Sequence, residues 1–196
     1  MAVAAAEFHS EAPQSASDDG FQFNGDIGTL LEELPDTLDD ETIFNMLAEI
    51  VASDLKESSI QIELDRHVEF LGDGQRYFTC ELHHSLKELS GMSVEASNLL
   101  YSAKGAILSL EALSARLRAF RQVEVSRLTK RFSGYLPWSS PTEVKRATET
   151  GEVRFLDNLI SAVSSRRVRA KLLADSIAVY RSCLARLSSD LKSYMA

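Results

Sequence analysis

Cys80, His84 and Glu88 recur at i, i+4 and i+8, which puts a thiol, an imidazole and a carboxylate on one face of a helix. These are zinc-ligand types, and Glu81 and His83 lie beside them, but a closed structural site takes four ligands and usually draws a pair from a turn. The set reads instead as a polar flank beside a leucine seam, and no metal or other cofactor is expected. Cys183 has no histidine near it in sequence, and neither cysteine belongs to a CxxC motif. The GxxxxGK(S/T) and GxGxxG phosphate loops, the GxSxG elbow and the HExxH metal motif do not occur. Residues 1–75 hold many carboxylates, yet general acid–base chemistry needs a rigid placement that this stretch does not promise. Binding rather than catalysis is the expectation.

Positive charge is the stronger chemical signal. Arg116, Arg118, Arg121, Arg127, Lys130 and Arg131 face a single acid, Glu124, and a second cluster follows at Arg166, Arg167, Arg169 and Lys171. With Lys145, Arg146 and Arg154 the first cluster forms a basic collar below Tyr135-Leu136-Pro137-Trp138, an aromatic tip holding the chain's one tryptophan. Tyr and Trp beside cations suit a protein hot spot or an anionic membrane surface. Nucleic acid fits less well, because the chain is acidic overall, at −8. Against the collar stands an acidic front. Residues 1–75 hold 18 acids and two bases, a balance of −16, whereas residues 76–196 hold 19 bases and 11 acids, a balance of +8. Such asymmetry implies an interaction tail, a partner, or contact between the two halves.

These residues need elements to position them. Residues 1–38 read as a disordered acidic tail in which Phe21, Phe23, Leu30, Leu31 and Leu34 could anchor a docking peptide. Asp39 or Asp40 caps a short helix over about 40–57, whose apolar stripe is Ile43, Phe44, Leu47, Ile50, Val51 and Leu55. Residues 59–78 fit a helix followed by a turn, with a β-hairpin about Gly72–Gly74 as the rival. From Thr79, Leu82, Leu86, Leu89, Ser93, Ala96, Leu100, Ala103, Ile107 and Leu110 step by four and three, a coiled-coil seam. Residues 134–141 stop that helix through Gly134, Pro137 and Pro141. Ser140, Pro141 and Glu143 then open another with a capping box. The second arm, about 142–195, carries the cleaner seam of Leu173, Ile177, Tyr180, Leu184, Leu187 and Leu191. Two matched arms joined by a short turn form an antiparallel hairpin over 79–196.

The expected fold is therefore all-α: a long antiparallel helical hairpin, a short N-terminal helix over part of residues 39–78, and the acidic tail. No stretch is long and apolar enough for a membrane span, and no secretory or lipidation signal is read at the termini. Two unpaired thiols suit a cytoplasmic or nuclear protein. The expected function is that of a helical subunit of a hetero-oligomeric assembly, binding partner helices through its seams. The alternative is a peripheral membrane-surface module acting through the collar and tip.

Overall fold

The computed structural model describes residues 35, 38, 40–72, 74, 76–79, 81–134 and 140–196. All regular structure among them is helical: α1 (Asp40–Leu71), α2 (Arg76–Thr79), α3 (Leu82–Ser133), α4 (Pro141–Thr148) and α5 (Gly151–Met195). The 52 residues of α3 reach about 78 Å at 1.5 Å per residue. Arg121 meets Asp157, and Arg167 meets Glu111; both pairs are centred on position 139. Equal centres mean that α3 and α5 run antiparallel in one register. The expected hairpin is present.

α1 fills one groove of the hairpin, antiparallel to α3 and parallel to α5. Glu49 meets Arg116, Asp54 meets Arg166, and His67 lies against both Glu95 and Tyr180. Two apolar clusters result. Ile43, Met46, Leu47 and Ile50 of α1 join Leu110, Leu113, Leu117, Phe155, Leu156, Leu159 and Val163. Farther along, Ile60, Leu64 and Leu71 join Leu89, Met92, Ala96, Leu173, Ile177, Tyr180 and Leu184. Between Ile50 and Ile60 α1 buries no apolar side chain, and that gap is polar.

Three local expectations change. The helix expected over 40–57 and the one favoured within 59–78 are a single helix running to Leu71, followed by the expected turn, and among the described residues no β-hairpin forms about Gly72–Gly74. The alternation of Ile60, Ile62 and Leu64 resembles a strand. Packing selects Ile60, Leu64 and Leu71 at helical spacing, however, and leaves Ile62, Val68 and Phe70 exposed. The second arm is not continuous over 142–195 but breaks between Thr148 and Gly151. There the Thr148 and Thr150 hydroxyls donate to the Lys145 and Ala147 carbonyls, and the Thr150 oxygen accepts from the Val153 amide. Thr150 thus caps a new helix. The capping box of Ser140 and Glu143 is formed as the sequence requires. Lastly, Phe44, Val51 and Leu55, expected in the buried stripe of α1, face outward.

The α1–α3 connection is a packed corner. Tyr77 of α2 is buried, its hydroxyl lies 3.6 Å from Met92 Sδ, and Arg76 covers the Phe70 and Tyr77 rings while reaching Glu88. Gly74 adopts φ +75°, and a Cβ there would lie 3.1 Å from Leu187 Cδ2. Gly74→Ala is therefore expected to cost about 1–2 kcal/mol in urea unfolding, combining a left-handed backbone with a crowded side chain. Leu184→Asp, at a fully buried seam position, is expected to cost upwards of about 3 kcal/mol. A loss below 1 kcal/mol at either position would contradict this packing.

Candidate interaction site

The seam residues expected to meet partner helices are already occupied within the chain. Leu173, Ile177, Tyr180, Leu184 and Leu191 are buried in the cluster shared with α1 and α3, and Leu187 is half-buried against it. This corrects their assignment as a free interface, and the reason is the length of α1. A 32-residue helix covers most of the groove that a shorter one would leave open.

What stays uncovered lies on the opposite faces. On α1, Phe44, Ala48, Val51, Leu55, Ser58 and Ile62 step by four and three along one exposed line. Phe44, Val51, Leu55 and Ile62 are 51, 40, 67 and 52% exposed. α3 exposes Val94, Tyr101 and Leu108 at intervals of seven, and α5 exposes Val168, Leu172 and Val179. α1 thus buries one apolar stripe in the bundle and shows a second at heptad spacing. The off-seam positions Leu108, Leu172 and Val179 are recognisable in the sequence as surplus to the hairpin. The α1 line is harder to see there, because Phe44 and Val51 sit next to the buried Ile43 and Ile50. The signal was the density of apolar positions, seven from Ile43 to Val51, which is too many for one face.

Most of the basic residues singled out from the sequence are bound to acids of this chain. Arg116 chelates Glu49, Arg121 chelates Asp157, Arg127 holds the buried Glu124, and Arg167 meets Glu111. Hydrogen bonds to those carboxylates push the Arg116, Arg121 and Arg127 guanidinium groups above their ordinary value. Arg118, Lys130 and Arg131 meet no acid among the described residues. The charge asymmetry is thus partly internal, with α1 acids answering α3 and α5 arginines.

The gap between the two apolar clusters holds the most enclosed of these contacts. Arg166, 9% exposed, donates from Nε and Nη2 to the two carboxylate oxygens of Asp54, each at 2.7 Å, and from Nη1 to the Ala162 carbonyl. Arg169 reaches Asp54 and Glu57 from the rim. Burial pushes the Glu57 carboxyl above its ordinary value, against the pull of Arg169.

The remaining candidates divide as follows. Phe21, Phe23, Leu30, Leu31, Tyr135 and Trp138 lie outside the described residues, as does Cys80 of the zinc candidate. Of the rest of that set, His84 is exposed and Glu88 pairs with Arg76. Among the described residues no group of three His, Cys, Asp or Glu is placed to hold a metal ion, and no helix is long and apolar enough to cross a membrane.

Asp54→Ala strands Arg166 between two apolar clusters, and a loss of about 3 kcal/mol is expected in chemical denaturation. Replacing both partners, as Asp54→Leu with Arg166→Met, is expected to recover most of that loss. A double variant as weak as the single one would show that the charges contribute more than mutual compensation.

Tyr180 gives a second, independent check. Burial raises its hydroxyl from 10.0 to about 12, and that hydroxyl donates to the His67 carbonyl at 3.4 Å. Below pH 10 Tyr180 is neutral in both folded and unfolded chains and contributes no slope. Between 10 and 12 only the unfolded chain releases the proton, so stability falls with a slope approaching about 1.4 kcal/mol per pH unit. Tyr180→Phe is expected to remove that part of the alkaline slope; an unaltered profile would contradict the burial. Comparison of the chain with known protein families, with curated proteins and with solved structures finds no match.

Proposed function

We propose that this chain is a non-enzymatic helical subunit of a hetero-oligomeric protein assembly, an adaptor or scaffold working in the cytoplasm or nucleus through coiled-coil contacts. The observation that carries this reading is the second apolar stripe of α1. Phe44, Val51, Leu55 and Ile62 remain exposed after the opposite face of the same helix has closed the bundle. Single exposed apolar residues are ordinary, but four in heptad register over about 27 Å match the knobs that a facing helix accepts. The flanking Ala48 and Ser58 are small enough to let a second helix approach. Among the described residues, a cleft along the back of α5 is lined by that helix alone, and one between α1 and α3 by Glu49, Ser53 and Lys56 facing Ala106, Ser109 and Leu113.

A membrane-surface role through the basic collar has less support. Within the collar Arg116, Arg121, Arg127 and Lys145 are each engaged by carboxylates of the same chain, which lowers the attraction left for lipid headgroups, while Arg118, Lys130 and Arg131 meet no acid among the described residues.

Leu55→Glu tests the assembly reading. It is expected to leave helicity by circular dichroism unchanged, because Leu55 is 67% exposed and belongs to neither buried cluster. It is also expected to release the helical chain that co-purifies with the wild-type protein from its native source. A wild-type protein that elutes as a folded monomer with no bound chain, indistinguishable from Leu55→Glu by light scattering, would refute the assignment.

A further inference from the structure

Two glycines sit inside α3, Gly91 and Gly105, where each costs about 1 kcal/mol of helix stability relative to alanine. Neither has the positive φ that would call for glycine. The chain's own packing does not require them either. A Cβ at Gly91 would meet nothing within 4 Å, and one at Gly105 would meet only the flexible end of Lys56, at 3.8 Å. Both glycines lie on one line along the helix. From Gly91, steps of three and four lead through Val94, Asn98, Tyr101, Gly105 and Leu108, then over three alanines to Ala119. This is the a and d pattern of a heptad, kept for about 42 Å. It runs half a turn from Ala96, Ala103, Leu110 and Leu117, which are buried in the hairpin, and so faces away from that core. Val94, Tyr101 and Leu108 on it are 59, 81 and 65% exposed. None of its nine positions is charged, although charged residues make up 26% of the chain, so the line is not an ordinary solvated face.

The alternation of large and small side chains decides which helix fits this seam. Gly91, Asn98, Gly105 and Ala112 take one heptad position, and Val94, Tyr101 and Leu108 take the other. A parallel copy of the seam would set Tyr101 against Tyr101 and Gly105 against Gly105, so its layers would be crowded and hollow by turns. An antiparallel copy sets each heptad position against the other. With the two-fold axis at position 103, Tyr101 meets Gly105 of the second copy, Leu108 meets Asn98, and Val94 meets Ala112. Each of these layers then joins a large side chain to a small one, which is the self-complementarity that a two-fold contact needs. Asn98 adds a preference for one register, at some cost in stability. The glycines acquire a reason in the same arrangement, because a missing Cβ at position 105 makes the seat for an aromatic ring.

We propose that the chain self-associates through the outer face of α3. Two copies pack these faces antiparallel about a two-fold axis at position 103, and Tyr101 of each copy sits over Gly105 of the other. Tyr101 is the anchor of the contact, an exposed aromatic near its centre. The outer stripe of α1 lies on another helix, so this inference and the assembly reading stand or fall independently.

Sedimentation of the purified full-length chain over a concentration series tests it. The wild-type protein is expected to pass from the mass of one chain to that of two. Gly105→Tyr fills the seat of Tyr101 and is expected to weaken association by about tenfold or more. Helicity should hold or rise in that variant, since tyrosine is a better helix former than glycine, so the loss is not one of folding. Adding Tyr101→Gly exchanges knob and hole within the same layer and is expected to restore the dimer. A nitroxide label at Arg118→Cys, with Cys80→Ser and Cys183→Ser, reports direction. Antiparallel copies hold the two labels about 45 Å apart, and parallel copies hold them within about 20 Å. A wild-type chain that stays monomeric at every concentration would overturn the proposal. So would a Gly105→Tyr variant that associates normally, an exchange that fails to rescue it, or the shorter label distance.

Discussion

A carboxylate and a guanidinium held between two apolar clusters decide how the third helix sits on this molecule. Leucine-rich faces attract one another without much regard for register, and α1 could slide by a turn along the hairpin groove with modest loss of burial. Asp54 cannot. Its two oxygens are matched to Arg166 at 2.7 Å, and displacement by one turn would break that two-point match. Ion pairs of this kind add little net stability over a well-packed apolar replacement, but breaking them is costly, so they act on specificity. The rim contacts of Arg169 with Asp54 and Glu57 extend the same constraint.

Fixing α1 in this register settles which of its faces is spent. The side bearing Ile43, Leu47 and Ile50 closes the bundle, and the side bearing Phe44, Val51 and Leu55 is necessarily presented to solvent. The polar layer and the outward stripe are therefore two aspects of one arrangement.

The hairpin was legible in the sequence because its signals are local and redundant. Gly134, the prolines, the Ser140–Glu143 box and the Leu173–Leu191 seam each specify the same turn and the same buried face. α1 was legible only in part. Its continuation past Glu57 depends on Ile60 and Leu64 finding Leu89, Met92 and Tyr180 from distant parts of the chain, and no local pattern distinguishes that from a strand. The break at Thr148–Thr150 was missed because Thr150 is an ordinary helix residue unless its hydroxyl turns to the Val153 amide. The basic collar was legible as composition, but its neutralisation was not. Arg116 and Arg166 find their acids 67 and 112 residues away. Of the interaction surfaces, the surplus apolar positions on α3 and α5 could be recognised by elimination. The one on α1 required knowing which neighbours α1 has.

The common centre of the α3–α5 contacts at position 139 bears on the order in which the chain assembles. Contacts near the turn, such as those among Leu128, Ala147 and Val153, close short loops, and each further pair along the arms enlarges the loop by only a few residues. Loop-closure entropy therefore favours zippering outward from the turn. α1 has no such route, since its contact with α5 spans more than a hundred residues and its groove exists only after both arms have met. The topology implies a hairpin that forms early and a third helix that docks late. Until that docking is complete, the nascent chain would display both apolar faces of α1 to its surroundings. Pulse labelling of amides during refolding would register that interval as a lag between protection of α3 and protection of α1.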